Sequence, residues 1–119
     1  MANKQVTIYY NPRCSKSRQT LELLQQQGIE PDIIEYMKDP PDIDTLKQIV
    51  SMLGLPVRDL LRSTEQVFKD AGMDDADLSD DDIYEAISEC PTLLQRPIVI
   101  IDNEKAVLGR PPENVLEIL

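Results

Sequence analysis

The sequence predicts an α/β protein with a small four-stranded mixed sheet and one helical insertion. The predicted elements follow the order β-α-β, then several helices, then β-β-α. The chain has 119 residues, which is the length of one domain. Hydrophobic residues make up 41% of it and charged residues 29%, which is ordinary for a globular protein with a buried core. We therefore expect a single domain over residues 1–119, with the helical insertion at approximately 42–92.

The first predicted elements are a strand, a helix and a second strand. Residues 5–10 are rich in β-branched and aromatic side chains and end at an Asn-Pro turn, as a buried strand does. Residues 15–27 carry leucines among polar helix formers and are followed by Gly28, which predicts a helix with a glycine at its end. Residues 32–36 are the second strand candidate.

The helical insertion follows a loop with two adjacent prolines, which cannot be helical throughout. Asp42 or Asp44 is the candidate N-cap of a helix that ends at Gly54. A short helix after a proline comes next, and another is predicted over residues 64–71.

The remaining elements are one capped helix, a hairpin and a final helix. Ser79 and Asp82 have the spacing of a capping box, so they predict the start of a helix that stops before the next proline. Residues 97–101 form the most hydrophobic strand, and a turn separates them from a shorter strand at 106–108. A C-terminal helix is expected from residue 112 onward.

Charge and residue content exclude several classes of function. The chain has 12 Lys and Arg against 22 Asp and Glu, so its net charge of −10 argues against a general nucleic-acid or anionic-membrane surface. Histidine is absent, which excludes Ser-His-Asp and Cys-His catalysis and any His-ligated metal site. Cys14 and Cys90 form no Cys-x-x-Cys pair, so we expect two free thiols and no metal. The first residues lack the apolar core of a signal peptide, from which we expect a cytoplasmic protein.

Cys14 is the candidate nucleophile because it lies where the first strand meets the first helix. A helix N-terminus offers unpaired N–H groups and the positive end of the dipole, and both favour a thiolate. Arg13, Lys16 and Arg18 place three cations close to Cys14 in sequence, and cations lower the pKa of a thiol. The alternative is a small buried apolar residue, which is the commoner role of a free cysteine. The local excess of cations in an acidic chain favours the reactive thiol.

The residues after Cys14 indicate a monothiol site that can hold an anion. Position 17 is serine, so a thioredoxin-style dithiol cannot form and a resolving thiol must come from another molecule. Backbone N–H groups of Ser15, Lys16 and Ser17 can face a tetrahedral oxyanion such as phosphate, sulfate or arsenate. Arginine side chains would offset the combined negative charge of thiolate and oxyanion.

Four separated motifs resemble those of the ArsC-type, glutaredoxin-coupled arsenate reductases. In chain order they are residues 9–18 with Thr20-Leu21 around Cys14, then 58–62, then 95–99, and last 109–111 with Val115-Leu116. Together they span nearly the whole chain. The sequence is similar to the YfgD-like branch of the family, because Tyr10 and the Ser15-Lys16 pair replace residues common in arsenate-resistance members.

The resemblance implies a thioredoxin-like fold and an arsenate reductase that depends on glutathione and glutaredoxin. It implies that the Cys14 thiolate attacks arsenate, that glutathione adds to the adduct, and that arsenite leaves as glutaredoxin reduces the mixed disulfide. No bound cofactor is expected, since glutathione serves as a co-substrate. The candidate site comprises the nucleophile, an oxyanion-binding set and three supporting residues: Cys14; Arg62, Arg96, Arg110, Ser15, Lys16 and Ser17; Asn11, Arg13 and Arg18. The resemblance also suggests a cis bond before Pro97.

Other interpretations remain open at the level of sequence. Arg62 can neutralise a helix end, and Arg96 and Arg110 can be surface charges. An Spx-like redox-sensing regulator that binds RNA polymerase has the same fold but usually carries Cys-x-x-Cys, whereas this chain has Ser17. A thiol-transfer protein with no oxyanion substrate is the third possibility. We expect Cys90 to be a structural thiol.

Overall fold

The structure, a computed structural model, describes residues 5–62 and 66–119. The chain divides into two compact units. The first is formed by the chain up to Asp39 together with Arg96–Leu119, and the second by Pro40–Gln95. The predicted insertion at 42–92 falls within the second unit, and the assignment of the whole chain to one domain stays a prediction.

The first unit is built on a four-stranded sheet. Its strands are β1 (Val6–Tyr10), β2 (Asp32–Glu35), β3 (Ile98–Ile101) and β4 (Lys105–Leu108). The strand order is β2-β1-β3-β4, with β1 parallel to β2 and antiparallel to β3, and β3 antiparallel to β4. The first helix, α1 (Ser15–Gln26), connects the two parallel strands. The predicted class, α/β with a small mixed four-stranded sheet, is therefore confirmed.

The core of this unit lies between the central strands and α1. Val6 and Ile8 of β1 alternate toward the same face as Val99 of β3, and all three are buried against Leu24 of α1 and Val115. This packing fixes α1 on the sheet, so the N-terminus of α1 is held at the carboxyl end of β1.

The C-terminal segment differs from its prediction. Residues Pro112–Glu117 form a 3-10 helix where an α-helix was predicted. Bonds of the i to i+3 type close its turns, including the one from the Asn114 N–H to the Pro111 carbonyl at 3.0 Å. The Asn114 side chain also donates to the carbonyls of Leu108 and Arg110, and these bonds tie the segment to the end of β4.

The second unit is helical, and its helix ends follow the sequence signals. Its α-helices within the described residues are α2 (Ile43–Leu53), α3 (Gln66–Asp70) and α4 (Asp80–Glu89), with 3-10 turns at Val57–Leu60 and Pro91–Leu93. Asp42 is the N-cap of α2 and accepts from the Thr45 N–H, while Gly54 ends the helix at φ 66°. The predicted capping box of Ser79 and Asp82 is present at α4. Thr64, the predicted start of α3, lies outside the described residues.

Each helix found within residues 5–62 and 66–119 is too short or too polar to cross a lipid bilayer.

Candidate active site

Cys14 lies at the N-cap position of α1, directly after the turn that ends β1. Its backbone N–H donates to the Asn11 carbonyl at 2.9 Å, and its carbonyl accepts from the Arg18 N–H at 3.1 Å. The residue is 9% exposed, so the thiol is covered without being fully enclosed. The predicted position of Cys14 between the first strand and the first helix is confirmed.

The thiol of Cys14 has a lowered pKa. Burial is the largest single influence and raises the pKa, because it removes water from the charged form. The opposing influences together are larger: the backbone N–H and hydroxyl of Ser17 hydrogen-bond to the sulfur, as does the Arg96 guanidinium, whose charge also attracts the thiolate. They lower the pKa to about 7, so a large share of Cys14 is thiolate at neutral pH.

Asn11 organises the turn that presents Cys14. Its side-chain oxygen accepts from the Arg13 N–H at 3.0 Å, and its backbone N–H donates to the Ser17 hydroxyl oxygen at 3.3 Å. Because that oxygen accepts from Asn11, the hydroxyl hydrogen of Ser17 is available to the sulfur. The Asn11 amide also donates to the hydroxyl of Tyr36 at 3.4 Å, which is fully buried. Tyr36 was absent from the predicted site, and its only sequence signal is that it ends a predicted strand.

Two of the predicted arginines come together in the first unit. The Arg110 side chain donates to the backbone carbonyl of Arg96 at 3.1 Å. Within the described part of the chain, the buried Nε of Arg96 has no protein hydrogen-bond partner. Both arginines precede cis proline bonds, at Pro97 and Pro111; the first was suggested by the resemblance and the second was not predicted.

Gly109 holds the Arg110 segment close to α1 and to Pro97. Its N–H donates to the Pro97 carbonyl at 2.9 Å. A Cβ atom at this position would lie 2.6 Å from Thr20 Oγ1 and 2.7 Å from Pro97 Cγ, which is closer than side chains can pack. Only glycine fits here, so Gly109 is a positioning residue that sequence reasoning did not include in the site. The sequence feature that could have identified Gly109 is its position directly before Arg110 and Pro111.

The cations next to Cys14 in sequence are not among the groups that lower its pKa. The cation that lowers the pKa of Cys14 is Arg96, which lies just before β3 and far along the chain from Cys14. Arg18 instead donates to the Pro12 carbonyl at 2.8 Å, and the Arg13 side chain is exposed. Neighbours along a helix N-terminus point outward from the axis, so closeness in sequence did not bring these charges to the sulfur.

The N–H groups predicted to bind an oxyanion belong to the first turn of α1. Ser15 is exposed, Lys16 is half-buried and Ser17 is buried. The Ser17 N–H and hydroxyl hydrogen-bond to the Cys14 sulfur, so they act first on the nucleophile. A role for Ser15 and Lys16 toward an anion stays a prediction.

Arg62 and Cys90 lie in the second unit. Arg62 follows the 3-10 turn at Val57–Leu60, and its backbone N–H donates to the Leu93 carbonyl at 2.8 Å. Its place in the oxyanion site stays a prediction. Cys90 is a half-buried free thiol at the C-cap of α4. No group of three or more His, Cys, Asp or Glu side chains that could hold a metal occurs in the described ranges 5–62 and 66–119.

The arrangement is suited to nucleophilic attack on an anion. A sulfur that is about half ionised at pH 7 lies beside a guanidinium that keeps one buried donor unpaired. An unpaired buried donor is costly unless a ligand accepts from it, and an oxyanion does so with several oxygens. The second guanidinium, from Arg110, is tied to the backbone of the first.

Comparisons with known proteins agree with this description. The sequence profile of the ArsC family matches residues 9–118. An arsenate reductase of Haemophilus influenzae is 46% identical over 115 residues, covering 96% of this chain and 98% of the relative. The uncharacterised protein YfgD of Escherichia coli is 46% identical over 117 residues, covering 98% of each chain. The solved structure of an arsenate reductase from Vibrio cholerae superposes with a TM-score of 0.95 at 46% identity, covering 99% of this chain and 100% of that one.

Proposed function

The chain belongs to the ArsC family, and we propose that it is an arsenate reductase, an oxidoreductase that uses Cys14 as its nucleophile. The main support for the proposal is the lowered pKa of the Cys14 thiol. Burial raises this pKa, but Ser17 and Arg96 together lower it to about 7. The thiolate is the reactive form of cysteine, so this thiol is ready to attack at neutral pH.

In the first step the Cys14 sulfur attacks arsenic, and one oxygen of arsenate leaves as water after protonation. Arg96 and Arg110 offset the negative charge that thiolate and arsenate bring together. Arginine suits this role because its planar donors can bind two oxygens at once.

In the second step a glutathione thiol reduces the adduct. Its sulfur bonds to the Cys14 sulfur as the S–As bond breaks, so arsenic gains two electrons and leaves as arsenite. The two thiols together lose those electrons and form a mixed disulfide. Glutaredoxin then reduces this disulfide by thiol–disulfide exchange and regenerates Cys14. Ser17 supports this external route, because it replaces the second thiol that an internal disulfide would need. We place the reaction in the cytoplasm, where glutathione is kept reduced.

A coupled assay tests the proposal. Arsenate, glutathione and glutaredoxin are combined with the protein, and arsenate-dependent oxidation of the thiol pool is measured. We expect turnover with the native chain and none with Cys14→Ser. Turnover that survives in Cys14→Ser, or no turnover with the native chain at any arsenate concentration, would reject the assignment.

A further inference from the structure

Beside Cys14 the first unit has a small cleft, which we name the Met37 cleft. Its lining residues come from the turn before Cys14 and from the turn after β2: Asn11, Pro12, Arg13, Glu35, Met37 and Lys38. The cavity volume is about 240 Å³. That is slightly below the range of about 300–1,000 Å³ typical of small-molecule pockets, so the cleft suits a ligand of a few residues.

The two walls of the cleft are built and joined by hydrogen bonds. One wall is the turn held by the bond from the Arg13 N–H to Asn11. The other is a turn in which the N–H groups of Lys38 and Asp39 donate to the Glu35 carbonyl at 2.9 and 3.0 Å. The bond from the Asn11 amide to the Tyr36 hydroxyl connects the walls. The cleft is therefore preformed, which lowers the entropy cost of binding.

The charges of the cleft have a distinctive pattern. Arg13 and Lys38 supply two cations, and Glu35 supplies one carboxylate. Lys38 and Glu35 are 3.9 Å apart, with their side chains 81% and 42% exposed, so a ligand can displace this weak ion pair at little cost. Between the charges lie Pro12 and Met37, and Met37 is 45% exposed.

Resting on the proposed function, we propose that the Met37 cleft binds glutathione as it approaches Cys14. Glutathione has two carboxylates and one ammonium group on either side of its cysteine, which complements two cations and one carboxylate. The exposed thioether of Met37 is an adaptable surface for the central part of the tripeptide. Arg13 immediately precedes Cys14 in the chain, so the cleft adjoins the turn that presents the reactive thiol.

The cations of the Met37 cleft also reduce the electrostatic repulsion between this acidic chain and glutathione. The chain carries a net charge of −10, which repels an anionic tripeptide such as glutathione. Arg13 and Lys38 place two cations in the cleft, and these weaken the repulsion where the glutathione thiol arrives.

The test measures a reaction of Cys14 that needs no arsenate. The Cys14 thiolate attacks oxidised glutathione, the S–S bond of that molecule breaks, Cys14 forms a mixed disulfide and one glutathione thiolate leaves. The rate is followed by mass spectrometry of the Cys14 peptide and compared with the rate for bis(2-hydroxyethyl) disulfide, which is uncharged. Lys38→Gln removes one cation of the cleft, and Lys105→Gln makes the same change of charge at the exposed first residue of β4.

We expect the ratio of the two rate constants to fall about three- to fivefold in Lys38→Gln, as for the loss of one exposed ion pair. It should fall further in Lys38→Glu and stay constant in Lys105→Gln. An unchanged ratio in both Lys38 variants would overturn the proposal. An equal fall in Lys105→Gln would do so as well, because it would mean that net charge alone sets the preference. If the ratio behaves as expected but arsenate is not reduced, the proposed function fails and glutathione binding stands.

Discussion

The two cysteines of this protein lie at opposite kinds of helix end. Cys14 precedes the first turn of α1, and Cys90 follows the last turn of α4. A helix N-terminus presents N–H donors and positive partial charge, whereas a C-terminus presents carbonyls and negative partial charge. The helix end at Cys14 therefore favours a negatively charged sulfur.

The groups around the two sulfurs increase this difference. Ser17 and Arg96 hydrogen-bond to the Cys14 sulfur. The residue before Cys90 is Glu89, and the last turn of α4 has no basic residue. One thiol is surrounded by donors and a cation, while the other follows an acidic turn. The position of Cys14 at a helix N-terminus, together with Arg96 from a distant part of the chain, makes its thiol the candidate nucleophile.

The largest expected effect comes from exchanging each cysteine in turn. Cys14→Ser should lower arsenate turnover by at least about 1,000-fold, because a serine hydroxyl is not ionised at neutral pH. Cys90→Ser is the matched control and should retain turnover within about twofold, as expected for a half-buried residue outside the site. Steady-state assays of both variants check the comparison, and a comparable loss in Cys90→Ser would break it.

The second largest effect is expected at Arg96. Arg96→Lys keeps the positive charge but loses the planar donors, and we expect turnover to fall about 100-fold, as when one oxyanion donor is removed. The pKa of Cys14 should rise, since the hydrogen bond from the guanidinium to the sulfur is lost. Steady-state kinetics measures the first change, and the pH dependence of Cys14 alkylation measures the second.

Arg58→Lys is the control for the loss of a guanidinium. Arg58 lies in the second unit and donates to the carbonyls of Met73 and Asp75, so its replacement should leave both readouts unchanged. Native kinetics in Arg96→Lys would remove Arg96 from the site.

Ser17→Ala tests the donors within α1 itself. With the pKa of Cys14 at about 7, its alkylation rate at pH 6 should be about one tenth of the alkaline plateau. Removing the Ser17 hydroxyl takes away a bond that lowers the pKa, so the profile should shift to higher pH and the rate at pH 7 should fall about fivefold. The plateau rate should stay the same. A stopped-flow alkylation series over pH measures both, and an unshifted profile would show that the hydroxyl does not reach the sulfur.

The two units also differ in how well the sequence predicts them. In the second unit, the helix caps contact residues only a few positions away in sequence, so sequence patterns identify them directly. They are Asp42 and Gly54 at α2 and the capping box of Ser79 at α4. In the first unit, the order of elements along the chain, the helix start and the position of Cys14 followed from periodicity and turn residues. The cation beside the sulfur did not, because Arg96 reaches Cys14 through the pairing of β1 with β3.

The same limit explains the contacts that were not predicted. Tyr36 bonds to Asn11, and Gly109 packs on Thr20, across long stretches of chain. Nothing in a local pattern specifies such contacts, since they depend on which strands become neighbours in the sheet. The resemblance to the ArsC family supplied Arg96 and Arg110 where local reasoning had favoured the adjacent cations.

Gly109→Ala tests how tightly the Arg110 segment must approach α1. The added methyl group would meet Thr20 Oγ1 at 2.6 Å, so we expect a loss of about 1–3 kcal/mol in the free energy of unfolding, as for overpacking of a core. Turnover of the folded variant should also fall, because Arg110 moves with its neighbour. Urea denaturation and kinetics measure the two effects. If the free energy of unfolding and the turnover both keep their native values, the segment accommodates the methyl group without displacing Arg110.

The smallest effect is expected at the other end of the helix that carries Cys90. Ser79→Ala removes the N-cap hydroxyl that accepts from the Asp82 N–H at 3.1 Å, which should cost about 1 kcal/mol of stability. Ser79 lies in the second unit and the thiol donors of Cys14 lie in the first, so the alkylation profile of Cys14 should not move. A stability loss in both Ser79→Ala and Gly109→Ala, with turnover lowered only in Gly109→Ala, would separate the cost of a helix cap from the cost of disturbing the site. If the pH profile of Cys14 alkylation shifts in Ser79→Ala, α4 and the Cys14 thiol are energetically coupled. That result would contradict the view that Cys14 and Cys90 have independent environments.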